Sequence, residues 1–181
     1  MPKYVAFLRG INVGGHKPIR MENLKKAFQS LGFRNVRTLL ASGNVLFEAP
    51  SANAGALVKR IEKKLQQTSG HDIGTVLRPT EDMQNLVAAD PFNGIRVTPR
   101  TRLFVTFLSE PPNTILRIPY ESSDKSFRIL RVTDGEVCSV LTLGPQWARN
   151  LRQMDILEKE FGKKITTRSW NTVVRVLKAG T

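Results

Sequence analysis

Cysteine is almost missing from this sequence: Cys138 is the only one in 181 residues, so no disulfide can close within the chain. Histidine is nearly as scarce, with only His16 and His71, and one Cys with two His cannot complete a four-ligand zinc site without carboxylate help. No metal and no cofactor are therefore expected. Long apolar runs are lacking too. The run Tyr4-Val5-Ala6-Phe7-Leu8 is typical and falls far below the roughly 20 residues that a membrane span needs. The opening Met1-Pro2-Lys3-Tyr4 leads at once into that run, without the basic region, apolar segment and cleavage site of a leader in series. The expectation is a soluble, cytoplasmic protein with no membrane partner.

Acid is also in short supply, at 15 Asp and Glu against 28 Lys and Arg, for a net charge of +13. Such an imbalance concerns partners rather than fold. It is uneven along the chain: residues 1–40 carry +7 and residues 149–181 carry +5. Neither end contains a block of five or six like charges and both carry apolar periodicity, so the charge decorates folded structure.

What is present is an ordinary globular share of apolar residues, 40%, arranged with recognisable periods. Residues 4–8 read as a buried strand, followed by the long loop Gly10-Ile11-Asn12-Val13-Gly14-Gly15-His16-Lys17-Pro18. From Met21 the spacing of Met21, Leu24, Phe28 and Leu31 predicts a helix face, without a good N-cap and with Gly32 at its left-handed end. Residues 36–40 and 45–47 predict a hairpin around Ala41-Ser42-Gly43-Asn44. Leu57, Val58, Ile61 and Leu65 mark a second helix, ending near Gly70, and residues 72–77 a strand closed by Pro79. The order strand, helix, strand, strand, helix, strand is that of the split βαβ or ferredoxin-like unit.

A short helix at 81–88 and the polar stretch Asp90-Pro91-Phe92-Asn93-Gly94 read as a connector. Then come a strand at 103–108, a Pro111-Pro112 break that allows a short helix up to Leu116, and a hairpin of 126–132 with 137–143 across Asp134-Gly135, a strong turn signal. A helix at 148–161 stops at Gly162, with a short extended run at 164–167 and a last helix at about 170–178. The fold class expected is α+β: two tandem ferredoxin-like (α/β plait) units at 1–80 and 101–181, the second with an extra C-terminal helix, joined by a connector at 81–100.

Three segments carry chemistry. The loop from Gly10 to Lys17, flanked by Arg9, has three glycines that let a backbone approach an anion and expose amides to it. It is not a Walker A loop, because His16-Lys17-Pro18 follows where Lys-Ser/Thr is required. A wide turn needing positive φ is the competing explanation. Ser42 lacks the elbow motif of a nucleophile, so Ser42 and Asn44 serve either as turn residues or as the hydrogen-bonding wall of a site. In Thr167-Arg168-Ser169-Trp170-Asn171-Thr172, Ser169 suits an N-cap. Arg168 beside the positive end of a helix then calls for an anion or a carboxylate, and Trp170 is either core or a stacking platform.

The segment from Tyr4 to Gly15, Leu31-Gly32-Phe33, Val36-Arg37-Thr38 with Ser42-Gly43-Asn44-Val45-Leu46-Phe47, and Thr167-Arg168-Ser169-Trp170-Asn171-Thr172-Val173 together resemble the uncharacterised bacterial family "domain of unknown function 1697". The resemblance spans almost the whole chain and implies two successive α/β plaits, with no established activity. Ser169 stands where that family usually has Asn, and Leu39-Leu40-Ala41 replace its aromatic, aliphatic and Gln residues.

The leading expectation is an anion- or nucleic-acid-binding protein that uses a basic groove and the glycine-rich loop. Its ligand-binding candidates are Arg9, Asn12, Gly14, Gly15, Lys17, Ser42, Asn44, Arg168, Trp170 and Asn171, and its partners nucleic acid or a phosphorylated small molecule. Only Tyr4, Phe7 and Phe47 offer aromatic rings for base stacking on the expected strands. The alternatives are an enzyme acting on a small phosphorylated or carboxylated substrate, and a structural or interaction protein with no ligand.

Overall fold

The computed structural model describes residues 1–144 and 152–181. Its first sheet is built from β1 (Lys3–Leu8), β2 (Arg34–Leu39), β3 (Asn44–Glu48) and β4 (Thr75–Pro79), with α1 (Met21–Ser30) after β1 and α2 (Ala54–Ser69) after β3. The strands are antiparallel throughout, in the order β2-β3-β1-β4. α3 (Thr80–Ala88) follows β4. The second sheet comprises β5 (Thr101–Leu108), β6 (Tyr120–Glu121), β7 (Phe127–Val132), β8 (Glu136–Thr142) and β9 (Ile165–Ser169), in the order β6-β7-β8-β5-β9, also antiparallel. α4 (Arg152–Phe161) precedes β9 and α5 (Trp170–Gly180) follows it. The protein is thus α+β, with two antiparallel sheets. It divides into two compact units, Met1–Gln84 with Val176–Thr181, and Asn85–Arg175.

In the first unit the period of two in β1 sends Tyr4, Ala6 and Leu8 to the face covered by α1 and α2, where they join Leu24, Phe28, Leu57, Ile61 and Leu65. Val5 and Phe7, on the opposite face, are buried as well. Burial on both faces is why this strand reads as a continuous apolar run rather than an alternating one. α1 ends as its sequence predicts, with Gly32 at φ +82°, a conformation that glycine enters without steric cost. α2 is capped by Asn53, whose Oδ1 accepts from the amides of Gly55 and Ala56.

The core of the second unit gathers Leu108, Phe127, Ile129, Val137 and Leu141 from the sheet with Leu157 of α4 and Ile165 of β9. Two features differ from the pattern expected. The stretch after Pro111-Pro112 forms no helix and runs irregularly to β6, because successive prolines remove amide donors. The Asp134-Gly135 turn does not rely on positive φ. Instead Thr133 Oγ1 accepts from the amides of Gly135 and Glu136, at 3.3 and 3.0 Å, a side-chain substitute for the usual turn conformation. The expected start of the fourth helix, at 148–151, lies outside the described residues, and the described part begins at Arg152. Among the described residues no helix is long and apolar enough to cross a membrane.

Candidate functional site

The loop between β1 and α1 is a miniature hairpin. Gly14 and Gly15 occupy its tip with φ +55° and +77°, and the amide of His16 donates to the carbonyl of Val13 at 2.9 Å. Two successive positive φ values are the requirement of a tight primed turn, which these glycines meet. Below the tip Asn12, itself at φ +55°, acts as a clamp. Its Nδ2 donates to the carbonyls of Ile19 and Ala41 at 3.1 and 2.8 Å, and its Oδ1 accepts from the amide of Ile19 at 2.8 Å. On the other side of the loop, Lys17 Nζ donates to the carbonyl of Asp72 at 2.6 Å, and the amide of Arg9 donates to the carbonyl of Gly74.

The turn before β3 is equally tied down. The side chain of Asn44 is fully buried, and its Nδ2 donates to the carbonyl of Leu39 at 2.8 Å and to Ser42 Oγ at 3.2 Å. Gly43 has φ +83°, and a Cβ there would sit 2.5 Å from Ile11 Cδ1. Asn12, Gly43 and Asn44 thereby shape the backbone of this turn. Arg9, Asn12, Gly14, Gly15, Lys17, Ser42 and Asn44 all belong to the first unit, and Arg168, Trp170 and Asn171 to the second.

In the second unit Arg168 lies on β9 beside Val105 of β5 and is buried. Burial pushes its pKa down to about 10, which leaves it a cation at neutral pH. Its Nη1 donates to Thr166 Oγ1 at 2.7 Å and to the carbonyl of Thr167 at 3.0 Å. Ser169 caps α5, accepting from the amide of Thr172 at 3.2 Å. Trp170 is half-buried, edge-on against Phe92 with ring centroids 5.2 Å apart, and Asn171 is exposed.

A further cavity lies elsewhere in the first unit. A groove of about 790 Å³ runs between α1, α2 and the loop that leads into α1. Arg20, Lys26 and Lys64 contribute its charge, and Asn12, Asn23 and Thr68 are among its polar groups, with no carboxylate in its described lining. Arg20 is the N-cap position of α1 and supplies no side-chain cap, so the positive end of the helix dipole borders the groove. Glu22 in the first turn is engaged with Lys26 at 3.0 Å. Of the residues that sequence reasoning singled out, Asn12 alone is among this lining. The groove was missed because its charges sit on the solvent faces of two helices. The available signal was the run Arg20, Asn23, Lys26, Ser30, spaced three or four apart along one face of α1.

The rings available for base stacking are not surface rings. Tyr4, Phe7 and Phe47 are all buried, and Phe47 stacks on Tyr4 and on Phe33 with centroids 5.7 and 4.6 Å apart. The first sheet therefore presents none of these three for stacking.

Fold and groove together define an α+β protein of two antiparallel sheets, the first flanked by two helices that line a cationic channel. The chain belongs to the family described as "Protein of unknown function (DUF1697)", whose model matches residues 1–137. Its structure is similar to that of a conserved bacterial protein from Streptococcus pneumoniae, 18% identical, with 99% of each chain covered and a TM-score of 0.74. At that identity the likeness shows the fold alone. An unknown protein from Galdieria sulphuraria is 13% identical over 93% of this chain and 96% of that one, at a TM-score of 0.28, too low to carry an argument. No curated protein matches the chain.

Proposed function

We propose that the protein binds an anionic ligand of the phosphate type in the groove between α1 and α2. The observation that carries this reading is the lining itself, with Arg20, Lys26 and Lys64 as its charged residues and no carboxylate among the described lining residues. Lysine and arginine around polar amides and hydroxyls match phosphate oxygens, which accept from all of them. Binding is favoured over turnover because no histidine, cysteine or pair of carboxylates lines the groove among the described residues. A nucleic acid held there would be gripped through its phosphates and released by salt, since Tyr4, Phe7 and Phe47 are buried.

The reading extends to the fold's ancestry, to its domains and to its setting. Strands β7-β8-β5-β9 repeat the spatial order of β2-β3-β1-β4, which supports two tandem ferredoxin-like plaits in which the second has lost the helix after its first strand. We take 1–80 and 101–181 as the two domains. A buried, unpaired Cys138 and likeness to a bacterial protein support a bacterial cytoplasmic setting.

The test is thermal unfolding with inorganic pyrophosphate, ATP and a short single-stranded oligonucleotide, at about 50 mM and higher salt. A ligand that binds only the native state at a hundred times its Kd adds about 2.7 kcal/mol. The expected result is a rise in Tm that declines with salt and disappears in the triple variant Arg20→Ala, Lys26→Ala, Lys64→Ala. An equal rise in that variant, or no rise with any of the three ligands, overturns the reading.

A further inference from the structure

The second unit contains a smaller cavity whose described lining carries charge opposite to that of the chain as a whole. It occupies about 220 Å³, and its lining includes Tyr120, Asp124, Phe127, Leu141, Gln153 and Asp155. Phe127 and Leu141 are buried apolar residues of the sheet. Around them the polar lining is rich in acceptors. Asp124 is held in position by its own loop: its Oδ1 accepts from Ser122 Oγ and Ser126 Oγ, both at 2.7 Å, and from the amide of Ser126 at 3.1 Å. Asp155 is an exposed carboxylate two residues beyond Gln153 on α4.

Gln153 is the informative member. It is only 7% exposed, and its Oε1 is buried without a hydrogen-bond partner. A buried carbonyl oxygen that gave up water and received no donor is a standing cost to the fold, and native structures keep few such atoms without a reason. The lining therefore offers an unused neutral acceptor and two carboxylates above an apolar floor.

We infer that this cavity binds a small primary amine, as its ammonium ion on a short aliphatic stem. An ammonium carries three donors and no acceptor, which complements Gln153 Oε1 and the two carboxylates, while the stem rests on Phe127 and Leu141. A bare metal ion fits less well, since among the described residues no three His, Cys, Asp or Glu side chains come together as a metal site. The volume corresponds to roughly seven waters at liquid density, the scale of a diamine of six heavy atoms. This inference is independent of the groove in the first unit and stands or falls separately from it.

The test is isothermal titration of the whole protein with 1,4-diaminobutane at low salt. Saturable binding is expected, and Asp155→Asn should weaken it about tenfold, the loss produced by one charged hydrogen bond. Gln153→Leu should weaken it at least as much while Tm stays the same or rises, because the variant removes the unsatisfied oxygen. Glu110→Gln, which removes an exposed carboxylate outside the cavity lining, should leave the affinity unchanged. Absence of saturable binding, or equal affinities for wild type and Asp155→Asn, or a loss in Glu110→Gln as large as in Asp155→Asn, overturns the inference. Should Gln153→Leu fail to fold, the exposed Asp155 variant decides alone.

Discussion

Asn12 donates its side-chain amide to the main-chain carbonyl of Ala41 across 2.8 Å, joining two turns that lie 29 residues apart in the chain. The same side chain holds Ile19 through both its oxygen and its nitrogen. One residue thus ties the entry to α1 to the hairpin turn before β3.

Replacing Asn12 by alanine removes all three of these bonds and leaves partly buried backbone groups at Ile19 unmatched. Asn12→Ala should cost about 2 kcal/mol in urea unfolding. Hydrogen exchange at the Ile19 amide should speed up by more than that of amides in β1, because the loosening is local.

Gly43 allows no side chain, for two reasons that add. Its φ of +83° disfavours any L-residue, and a Cβ would meet Ile11 Cδ1 at 2.5 Å and Leu8 Cβ at 3.0 Å. The conformation alone costs about 1–2 kcal/mol and the crowding a further 1–3 kcal/mol or so. Gly43→Ala should therefore lower stability by roughly 2–5 kcal/mol, read from the shift in denaturant midpoint, whereas Gly10→Ala, with nothing near its Cβ, should lose only the conformational part.

Ser139 lies in the middle of β8, fully buried, and its Oγ has no hydrogen-bond partner. Removing a buried hydroxyl that receives nothing in return relieves its desolvation. Ser139→Ala should raise stability by about 1 kcal/mol, seen as a higher Tm, while a destabilisation of similar size would mean that the hydroxyl is matched.

Cys138 is buried in β8, and burial pushes its thiol from 9.0 up to about 12, partly offset by Arg131. The folded protein holds this proton more tightly than the unfolded chain does. Its contribution to stability is thus fully present below pH 9 and is lost as pH rises from 9 towards 12, by up to about 4 kcal/mol over the whole window. The stability advantage of wild type over Cys138→Ala should shrink along that range. At pH 8 the thiol should react with iodoacetamide only when denaturant unfolds the protein.

Much of the architecture was legible because it is local. β1 declares itself by an unbroken apolar run, α1 by the spacing of Leu24 and Phe28 with Gly32 beyond its end, and the start of α5 by Ser169. The Asp134-Gly135 turn shows the limit: the hairpin was readable, yet its closure depends on the hydroxyl of Thr133. The helix allowed near Leu116 failed because nothing in the spacing of that stretch could outweigh the prolines before it.

The candidate site was less legible, and for one reason. Residue types and spacing determined where the strands and helices lie, that the charge is positive, and that the turns at 10–17 and 41–44 need glycine and asparagine. Only the tertiary structure decided what those residues do. The sequence offered Asn12 and Asn44 as contacts for a ligand, and in the fold both side chains hydrogen-bond to the backbone. Arg20, Lys26 and Lys64, unremarked on two separate helices, come to line one groove because the apolar faces of α1 and α2 pack on the same sheet. Hydrophobic burial sets that placement, and the charges on the outer faces are carried along with it.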